Sequence, residues 1–422
     1  MVKKRRILSP LPLFDQQALP AFLAEHGYKP VHALTIWRYM AQHPDASFAS
    51  IPSIPTSLRA ALATAFVPLT TSMQRHVDAS DGTIKLLLTL QDDHAIEAVI
   101  LRHHGRTTLC VSSQVGCQMA CTFCATGTLG MIANLTSGEI LEQLVHASRF
   151  ARIRNVVFMG MGEPLNNYDA VVAALRAMTT VFGLAPKHVT LSTVGVIPRM
   201  RQLTQDAPLV RLALSLHAPT QALRTQLVPT STAYPLEQLM AAVDDHLASK
   251  DGRLVLVEYC LLAGVNDSIE TAHELGKLLS DRAVHVNLIP YNPTDVRAEY
   301  QSPSHDAIRT FHAILRTTYH LKATIRENHG TDIDGACGQL ALKHKTSESA
   351  DIEDLGPRRR PRRGPQRTHG VPRDATSVRP SWLAHASAFL DAHHQAIGLA
   401  CFGASVVMLG LGLVRRGRSH VT

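Results

Sequence analysis

Four absences narrow what this chain can be. No apolar leader follows the basic start: Lys3-Lys4-Arg5-Arg6 runs on to Pro10 and Asp15, not into a hydrophobic stretch, so no secretory signal is visible. Cysteine is scarce and irregular, with 7 in 422 residues, which excludes a disulfide-stapled secreted scaffold and points to a reducing, cytoplasmic setting. The body has little net charge. Of the formal +8, residues from Lys343 onward carry 13 Lys/Arg and 6 Asp/Glu, leaving 29 against 28 for the first 342. That excludes a global basic field, so any nucleic-acid contact by the body needs a local patch. Finally, Cys117, Cys121 and Cys124 have no second cysteine pair nearby, and His103 and His104 are the only close imidazoles. Structural zinc normally takes two such pairs or a Cys/His quartet, and is disfavoured here.

What remains is globular and long enough for several domains, with 45% hydrophobic and 18% charged residues. Over residues 1–78, Phe22, Leu23, Ile36, Trp37, Met40 and Leu58 recur at helical intervals between prolines, which predicts a small helical accessory domain. Residues 79–106 read as a strand extension, two strands about a polar turn at Asp92 and Asp93. Residues 107–343 alternate apolar runs with helical stretches. The strands are expected at Thr108–Ser112, Asn155–Met159, His188–Ser192, Val210–Leu216, Leu254–Leu261, Val284–Ile289 and Lys322–Arg326. This pattern predicts an α/β fold, a parallel sheet with right-handed crossovers closing into a partial (β/α)6 barrel whose chemistry sits past the C-terminal strand ends. Residues 344–381 change character: 356–380 hold eight Arg, five Pro and one acid, Asp374. Such a basic segment is expected to be a disordered linker. Residues 382–422 follow as a C-terminal helix. Its stretch 396–414 has nineteen uncharged residues, roughly 28 Å of helix, a candidate membrane anchor.

The cysteine spacing carries the chemistry. In Gly116-Cys117-Gln118-Met119-Ala120-Cys121-Thr122-Phe123-Cys124, three thiolates on one loop suit three irons of a 4Fe–4S cluster, where a closed cluster takes four cysteines. The remaining iron is left for a small molecule bearing an amine and a carboxylate, and S-adenosylmethionine (SAM) is one, a known radical source with such clusters. Phe123, just before Cys124, would either shield the cluster from water or serve in ordinary core packing. Gly160-Met161-Gly162-Glu163-Pro164 follows the next strand, where Gly162 would let backbone approach a ligand and Glu163 would accept from an ammonium.

Taken in order, Cys110-Val111-Ser112-Ser113-Gln114-Val115-Gly116-Cys117, the cysteine triplet, Met159–Pro164, Leu191-Ser192-Thr193, Ser215-Leu216-His217-Ala218-Pro219 and Ala336-Cys337-Gly338-Gln339-Leu340 resemble the RlmN/Cfr family of radical SAM RNA-adenine methyltransferases. The resemblance covers roughly residues 10–345. It implies metal ligation by Cys117, Cys121 and Cys124, and SAM contacts from Gly162, Glu163, Ser192, Ser215, Leu216, His217 and Asn292. It further implies that Cys337 is methylated by one SAM and that a radical from a second SAM activates that methyl for addition to an adenine ring carbon. Cys110 then attacks the Cys337 sulfur to release the product. Glu97, in an apolar strand, matches the family's proton acceptor. Cys260 and Cys401 lack such flanks and read as buried small hydrophobes.

The implied partners are RNA (23S-type rRNA, and tRNA) and a reducing donor such as flavodoxin or ferredoxin, with the protein a monomer. Methylation at C2 is the expected outcome, with C8 the alternative within the family. A different radical SAM activity and a non-enzymatic RNA-binding protein are the competing classes. Two stretches depart from the family pattern. Thr230-Ser231-Thr232 stands where Ile-Asn-Lys is usual, and His329-Gly330-Thr331-Asp332 where a basic pair precedes acids. Both remove cations near the expected mouth of the site, which bears on how RNA is held.

Overall fold

The structure is a computed structural model that describes residues 6, 8–103, 105–249, 254–294, 296 and 298–341. The expected linker, C-terminal helix and 396–414 span, and Cys401, lie outside the described residues. Among those described, no helix is long and apolar enough to cross a membrane.

The N-terminal region forms where the sequence pattern predicts helices. A short strand β1 (Leu11–Pro12) precedes α1 (Ala18–Glu25), α2 (Val31–Gln42) and α3 (Thr56–Ala65), and β2 (Phe66–Val67) returns to pair in parallel with β1. Helix α2 buries Ala33, Ile36, Trp37 and Met40, one stripe at helical spacing. The Trp37 indole N–H donates to the Leu13 carbonyl at 2.8 Å, so its polar end is satisfied inside the core.

The strand extension is larger than the sequence reading allows. β4 (Ile84–Thr89) and β5 (Ala95–His103) are the two expected strands, but β3 (Ser72–Asp78) adds an antiparallel neighbour inside the segment assigned to the helical domain. Its sequence, Ser-Met-Gln-Arg-His-Val-Asp, carries no apolar alternation because it is the outer strand and mostly exposed. β5 then pairs antiparallel with β6 (Arg106–Cys110), where the sheet turns parallel.

After β6 come β7 (Gln114–Gly116), α4 (Ala125–Thr128), β8 (Met131–Asn134) and α5 (Ser137–Ser148), then β9 (Asn155–Phe158) and α6 (Tyr168–Thr180). The chain continues through β10 (Val189–Thr193), α7 (Ile197–Asp206), β11 (Arg211–Ser215), α8 (Gln221–Leu227), α9 (Leu236–Ala248), β12 (Val255–Leu261), α10 (Ile269–Leu279), β13 (Val284–Pro290), α11 (His305–Ala313) and β14 (Lys322–Ile325). The ten-stranded sheet runs β14-β13-β12-β11-β10-β9-β6-β5-β4-β3. Its parallel part holds seven strands linked by six crossovers, each strand within two residues of its predicted span. Ser and Thr caps set several of the crossover helices: Thr136 and Glu139 form a reciprocal capping box on α5, and Ser268 and Ser304 cap α10 and α11. Helix α5 is buried from Ser137 through Ala147 and packs between the sheet and the N-terminal segment.

Candidate active site

The segment after β6 is the frame. Val111 N–H bonds the Val157 carbonyl at 2.9 Å and Ser113 N–H the Met161 carbonyl at 2.8 Å, so this loop continues the sheet towards β9. The Ser112 hydroxyl donates to the Glu97 carbonyl and accepts from Met161 N–H, and Gln143 on α5 clasps the Ser112 backbone through both its amide atoms. The Gly160–Pro164 turn lies directly on this frame. A Cβ at Gly160 would stand 2.8 Å from Ser112 Oγ, and one at Gly162, where φ is +99°, would stand 2.6 Å from Gln114 Cβ. Glycine is required here mainly by the protein's own Gln114 and Ser112, a reason different from the ligand approach expected from sequence.

A cavity of about 160 Å³ opens at the C-terminal ends of the parallel strands. Cys117, Cys121, Cys124, Gly162, Glu163, Ser192, Ser215, His217, Asn292 and Cys337, ten of the predicted site residues, share its wall. A smaller connected space of about 60 Å³ is lined by Cys110, Cys124, Asn292, Arg326 and Cys337. Two hydrogen bonds dock the Cys337 loop on the cysteine loop: Ala125 N–H to the Gly338 carbonyl at 2.8 Å and Thr126 Oγ1 to the Leu340 carbonyl at 2.6 Å. Gln339 holds the loop from the other side, donating to the Pro293 carbonyl and accepting from Ala336 N–H.

The three loop cysteines are half-buried as residues, with their thiols turned inward. Burial pushes Cys117 up to about 12, with Cys124 and Glu163 adding to it while Met119 N–H opposes. Cys121 and Cys124 are also raised, burial first and neighbouring thiols after. Three soft donors on one loop are the donor set a cationic cluster would deprotonate and hold. Among the described residues, no three His, Cys, Asp or Glu side chains converge as ligands of one metal ion. A cluster asks instead for one sulfur at each of three irons. Every described cysteine is a free thiol, Cys110 and Cys260 buried.

Glu163 is 3% exposed and caps the turn after it, accepting from Leu165 N–H at 3.0 Å and Val194 N–H at 2.9 Å. Burial outweighs these bonds and raises its pKa to about 7. One oxygen takes each N–H, so lone pairs remain for a ligand donor. Asn292 donates to the Cys337 carbonyl at 3.3 Å, while its Oδ1 is buried without a partner. That orphan acceptor on the cavity wall fits a ligand N–H or O–H. The Ser192 and Ser215 hydroxyls pair at 3.0 Å on neighbouring strands β10 and β11.

His217 adopts a left-handed backbone, φ +62°, and its Nδ1 accepts from Cys260 N–H at 3.1 Å. Burial, then Arg224, holds its pKa down to about 3. The ring is therefore neutral with its proton on Nε2, a donor. Phe123 packs edge-on to this ring at 4.8 Å, lines the cavity and belongs to a small apolar cluster with Leu227, Val228 and Tyr291. Leu216 does not join them. Its side chain is fully buried in the main core, its N–H bonds the Glu258 carbonyl, and its own carbonyl accepts from Arg224.

Glu97 is buried on β5, two residues from Val99, which pairs with Cys110 and lines the smaller space. Its surroundings are more polar than the apolar strand sequence indicates. Lys85 Nζ lies 3.2 Å from Oε1, and Ala341 N–H donates to Oε2 at 3.1 Å. Lys85 reaches across from the neighbouring strand at a diagonal position.

Sequence reasoning overlooked Arg326, Gln114 and Glu258. Arg326 stands just past β14 and lines both spaces. Its backbone N–H bonds the Leu288 carbonyl, and its guanidinium makes no hydrogen bond or ion pair with another described residue. Cys337 first, then Glu258 and Cys110, raise its pKa against burial. The available signal was position: it is the first residue beyond a parallel strand, where the fold puts chemistry. Gln114 bonds Glu163 N–H through Oε1 and Asn134 through Nε2, tying the SAM-type turn to β8.

Comparison with known proteins agrees with this geometry. The radical SAM superfamily profile matches residues 111–275. A probable dual-specificity RNA methyltransferase RlmN from Geobacillus thermodenitrificans is 40% identical over 338 residues, 78% of this chain and 92% of that protein. Its namesake from Desulforudis audaxviator is 44% identical over 305 residues, 71% of this chain and 95% of that one. The crystal structure of a radical SAM methyltransferase from Sphaerobacter thermophilus superposes with a TM-score of 0.73 at 39% identity, covering 78% of this chain and 98% of that one. With the cysteine loop, the Gly162-Glu163 turn and the Cys337 loop arranged about one cavity, the chain belongs to the RlmN family of the radical SAM superfamily.

Proposed function

We propose that this enzyme methylates C2 of an adenine in RNA, in 23S-type rRNA and in tRNA, through a methyl group carried on Cys337. The observation that carries the reading is the junction of two loops distant in sequence. Ala125 N–H and Thr126 Oγ1 hold the Cys337 loop against the cysteine triplet, and Cys110 and Cys337 share one small space beside it. A pair of thiols next to three others is superfluous for binding a cluster, but it suits a carrier and its release partner.

Cys117, Cys121 and Cys124 would hold a 4Fe–4S cluster, with Glu163, Asn292, the Ser192–Ser215 pair and His217 binding SAM. When bound, the pair supplies carbon-radical chemistry, which reaches an electrophilic ring carbon that a methyl cation does not. The chain's own residues do the rest. Cys337 is the nucleophile that accepts the methyl group on sulfur, and the Arg326 guanidinium lines the same space. Glu163 presents a carboxylate to the SAM ammonium, and His217 a neutral Nε2–H. Glu97, oriented by Lys85 and Ala341 N–H, takes the ring proton. Cys110 then attacks the Cys337 sulfur: the S–S bond forms as the bond from sulfur to the methylene carbon breaks, that carbon takes up a proton, the methylated base leaves, and the one surplus electron would return to the bound redox group. Burial raises Cys110 to about 12, with Cys337 adding to this and Arg326 opposing it, so its thiol stays inert until that step.

The test is anaerobic reconstitution with iron, sulfide, SAM, a reductant such as flavodoxin, and RNA, followed by mass spectrometry of the digested RNA. 2-Methyladenosine is expected. 8-Methyladenosine would move the reading to the other branch of the family, and neither product would defeat it.

A further inference from the structure

The cations missing from the mouth of the site have a counterpart on the opposite rim of the sheet. Arg102 and Arg106 flank the β5–β6 turn, Arg152 and Arg154 precede β9, Lys187 precedes β10, and Arg211 opens β11. All six are exposed. β11, β10, β9, β6 and β5 are consecutive neighbours in the sheet, so at about 4.8 Å per strand the cations line a stripe roughly 20 Å long. The segments that supply them, 101–110, 149–157, 183–190 and 207–213, contain no Asp or Glu. Elsewhere, Arg6, Lys85, Arg149, Arg201, Arg282 and Arg309 are ion-paired; among the described residues none of the six rim cations is.

The stripe is built, not scattered. Arg154 N–H bonds the Thr107 carbonyl and an Arg102 guanidinium N–H the Phe150 carbonyl, tying β5, β6 and the approach to β9. The His188 ring bonds Asn155 Oδ1 at 2.8 Å, linking the starts of β10 and β9. Burial first, then Arg154, Lys187 and Arg211, hold this imidazole below its usual range, which marks the three cations as close together. Six like charges held near one another without counterions repel, and the first 342 residues, with 29 cations against 28 anions, have no general excess to explain them.

We propose that this rim is a second RNA-docking surface that grips phosphates of the substrate some way from the adenine being modified. The inference rests on the RNA-methyltransferase reading and adds to it where the backbone is held. Strands of five residues or so separate the rim from the cavity, roughly 17 Å. Only a folded RNA large enough to wrap the sheet edge meets both, so a short oligonucleotide engages the cavity without the stripe. The stripe thus selects for size and shape, while the cavity selects the base.

The experiment compares full-length protein with the variant R106Q/R154Q/K187Q/R211Q, binding labelled tRNA by fluorescence anisotropy from 50 to 300 mM salt. Circular dichroism and melting check the fold. The variant is expected to bind tRNA at least about tenfold more weakly at low salt, and its log–log salt slope to fall by roughly three to four, four cations at about 0.9 each. Its affinity for a short single-stranded anticodon-loop oligonucleotide is expected to change less than about twofold, since that RNA cannot span the distance. An unchanged slope in a folded variant overturns the proposal. So does a variant that keeps RNA affinity but loses turnover with an acidic flavoprotein donor and regains it with dithionite, since the stripe would then dock a protein. If the parent protein yields methyladenosine while the slope is unchanged, only the stripe is wrong; if it yields none, the underlying function is.

Discussion

Two glutamates in this molecule are buried to the same degree and carry the same shift, yet they serve different ends. Glu142 on α5 and Glu163 after β9 are both enclosed, and burial raises both to about 7. Glu142 accepts four hydrogen bonds, from the backbone N–H and hydroxyl of both Thr70 and Thr71, at 2.7 to 3.0 Å. His146, one turn on, bonds Thr71 as well, and its ring is held down to about 4 by burial and then Arg149. Every group there is matched, and the cluster pins α5 to the segment entering β3. Glu163 accepts two backbone N–H groups and faces a cavity. A perturbed carboxyl is therefore no mark of function by itself. Spare hydrogen-bonding capacity beside an open space is the mark.

The largest effect that would break this contrast comes from the thiols. Cys337→Ala is expected to abolish methyladenosine formation while leaving iron content unchanged, because Cys337 is no cluster ligand in this reading. Cys110→Ala should leave a covalent RNA–protein adduct, seen as a shifted band on a denaturing gel. Loss of iron in Cys337→Ala would show that Cys337 belongs with the cluster cysteines and not with Cys110.

Glu142→Ala and Glu163→Ala should then diverge. Removing Glu142 orphans four donors and is expected to cost about 3 kcal/mol or more, read as a fall of several degrees in melting midpoint. Removing Glu163 should cost the unliganded protein less, and weaken SAM binding by about tenfold or more in equilibrium dialysis of reconstituted protein. Equal melting midpoints for the two variants would show the contrast to be wrong.

Dependence on pH sharpens it further. If Glu163 holds the SAM ammonium as proposed, affinity should be full above about 7 and be lost as pH falls through that value. Glu163→Gln should flatten that profile. Stability runs the other way for both carboxyls. Each keeps its proton in the fold after the unfolded chain has released it, so their contribution declines as pH rises from 4.5 to about 7.

The smallest effect expected is at Gly162. Alanine there meets Gln114 and a φ of +99°, and should destabilise by about 1–3 kcal/mol with a modest loss of SAM affinity. Gln114→Gly, which removes the Cβ and Cγ that a side chain at 162 would meet, combined with Gly162→Ala should recover part of the stability if Gln114, and not a ligand, is what excludes a side chain. A simple sum of the two losses would argue the reverse.

Much of the fold was legible because parallel strands buried on both faces write themselves as largely apolar runs, such as Val255–Leu261, six of whose seven residues are buried. β3 was not, since an edge strand has little to bury. The site residues were legible as motifs past strand ends. Leu216 shares a motif with Ser215 and His217 yet turns into the core, because neighbours on a strand face opposite ways. Arg326 belonged to no motif, and the fold of the segment that leaves β14 is what sets it beside Cys337 and Cys110.

Sequence by itself determined the donor types and their order along the chain: three cysteines on one loop, two more with distinctive flanks, and a Gly-Glu turn one strand later. These are covalent facts, and local spacing already limits the chemistry they support. Tertiary structure decided which of them meet. Cys110 and Cys337 are separated by 226 positions in the sequence, and no local rule joins them; the crossovers of the sheet and two hydrogen bonds from the cysteine loop do. The basic rim was likewise invisible along the chain, because its cations enter one or two at a time around the ends of separate strands. Hydrogen bonding between those strands is what makes them one surface.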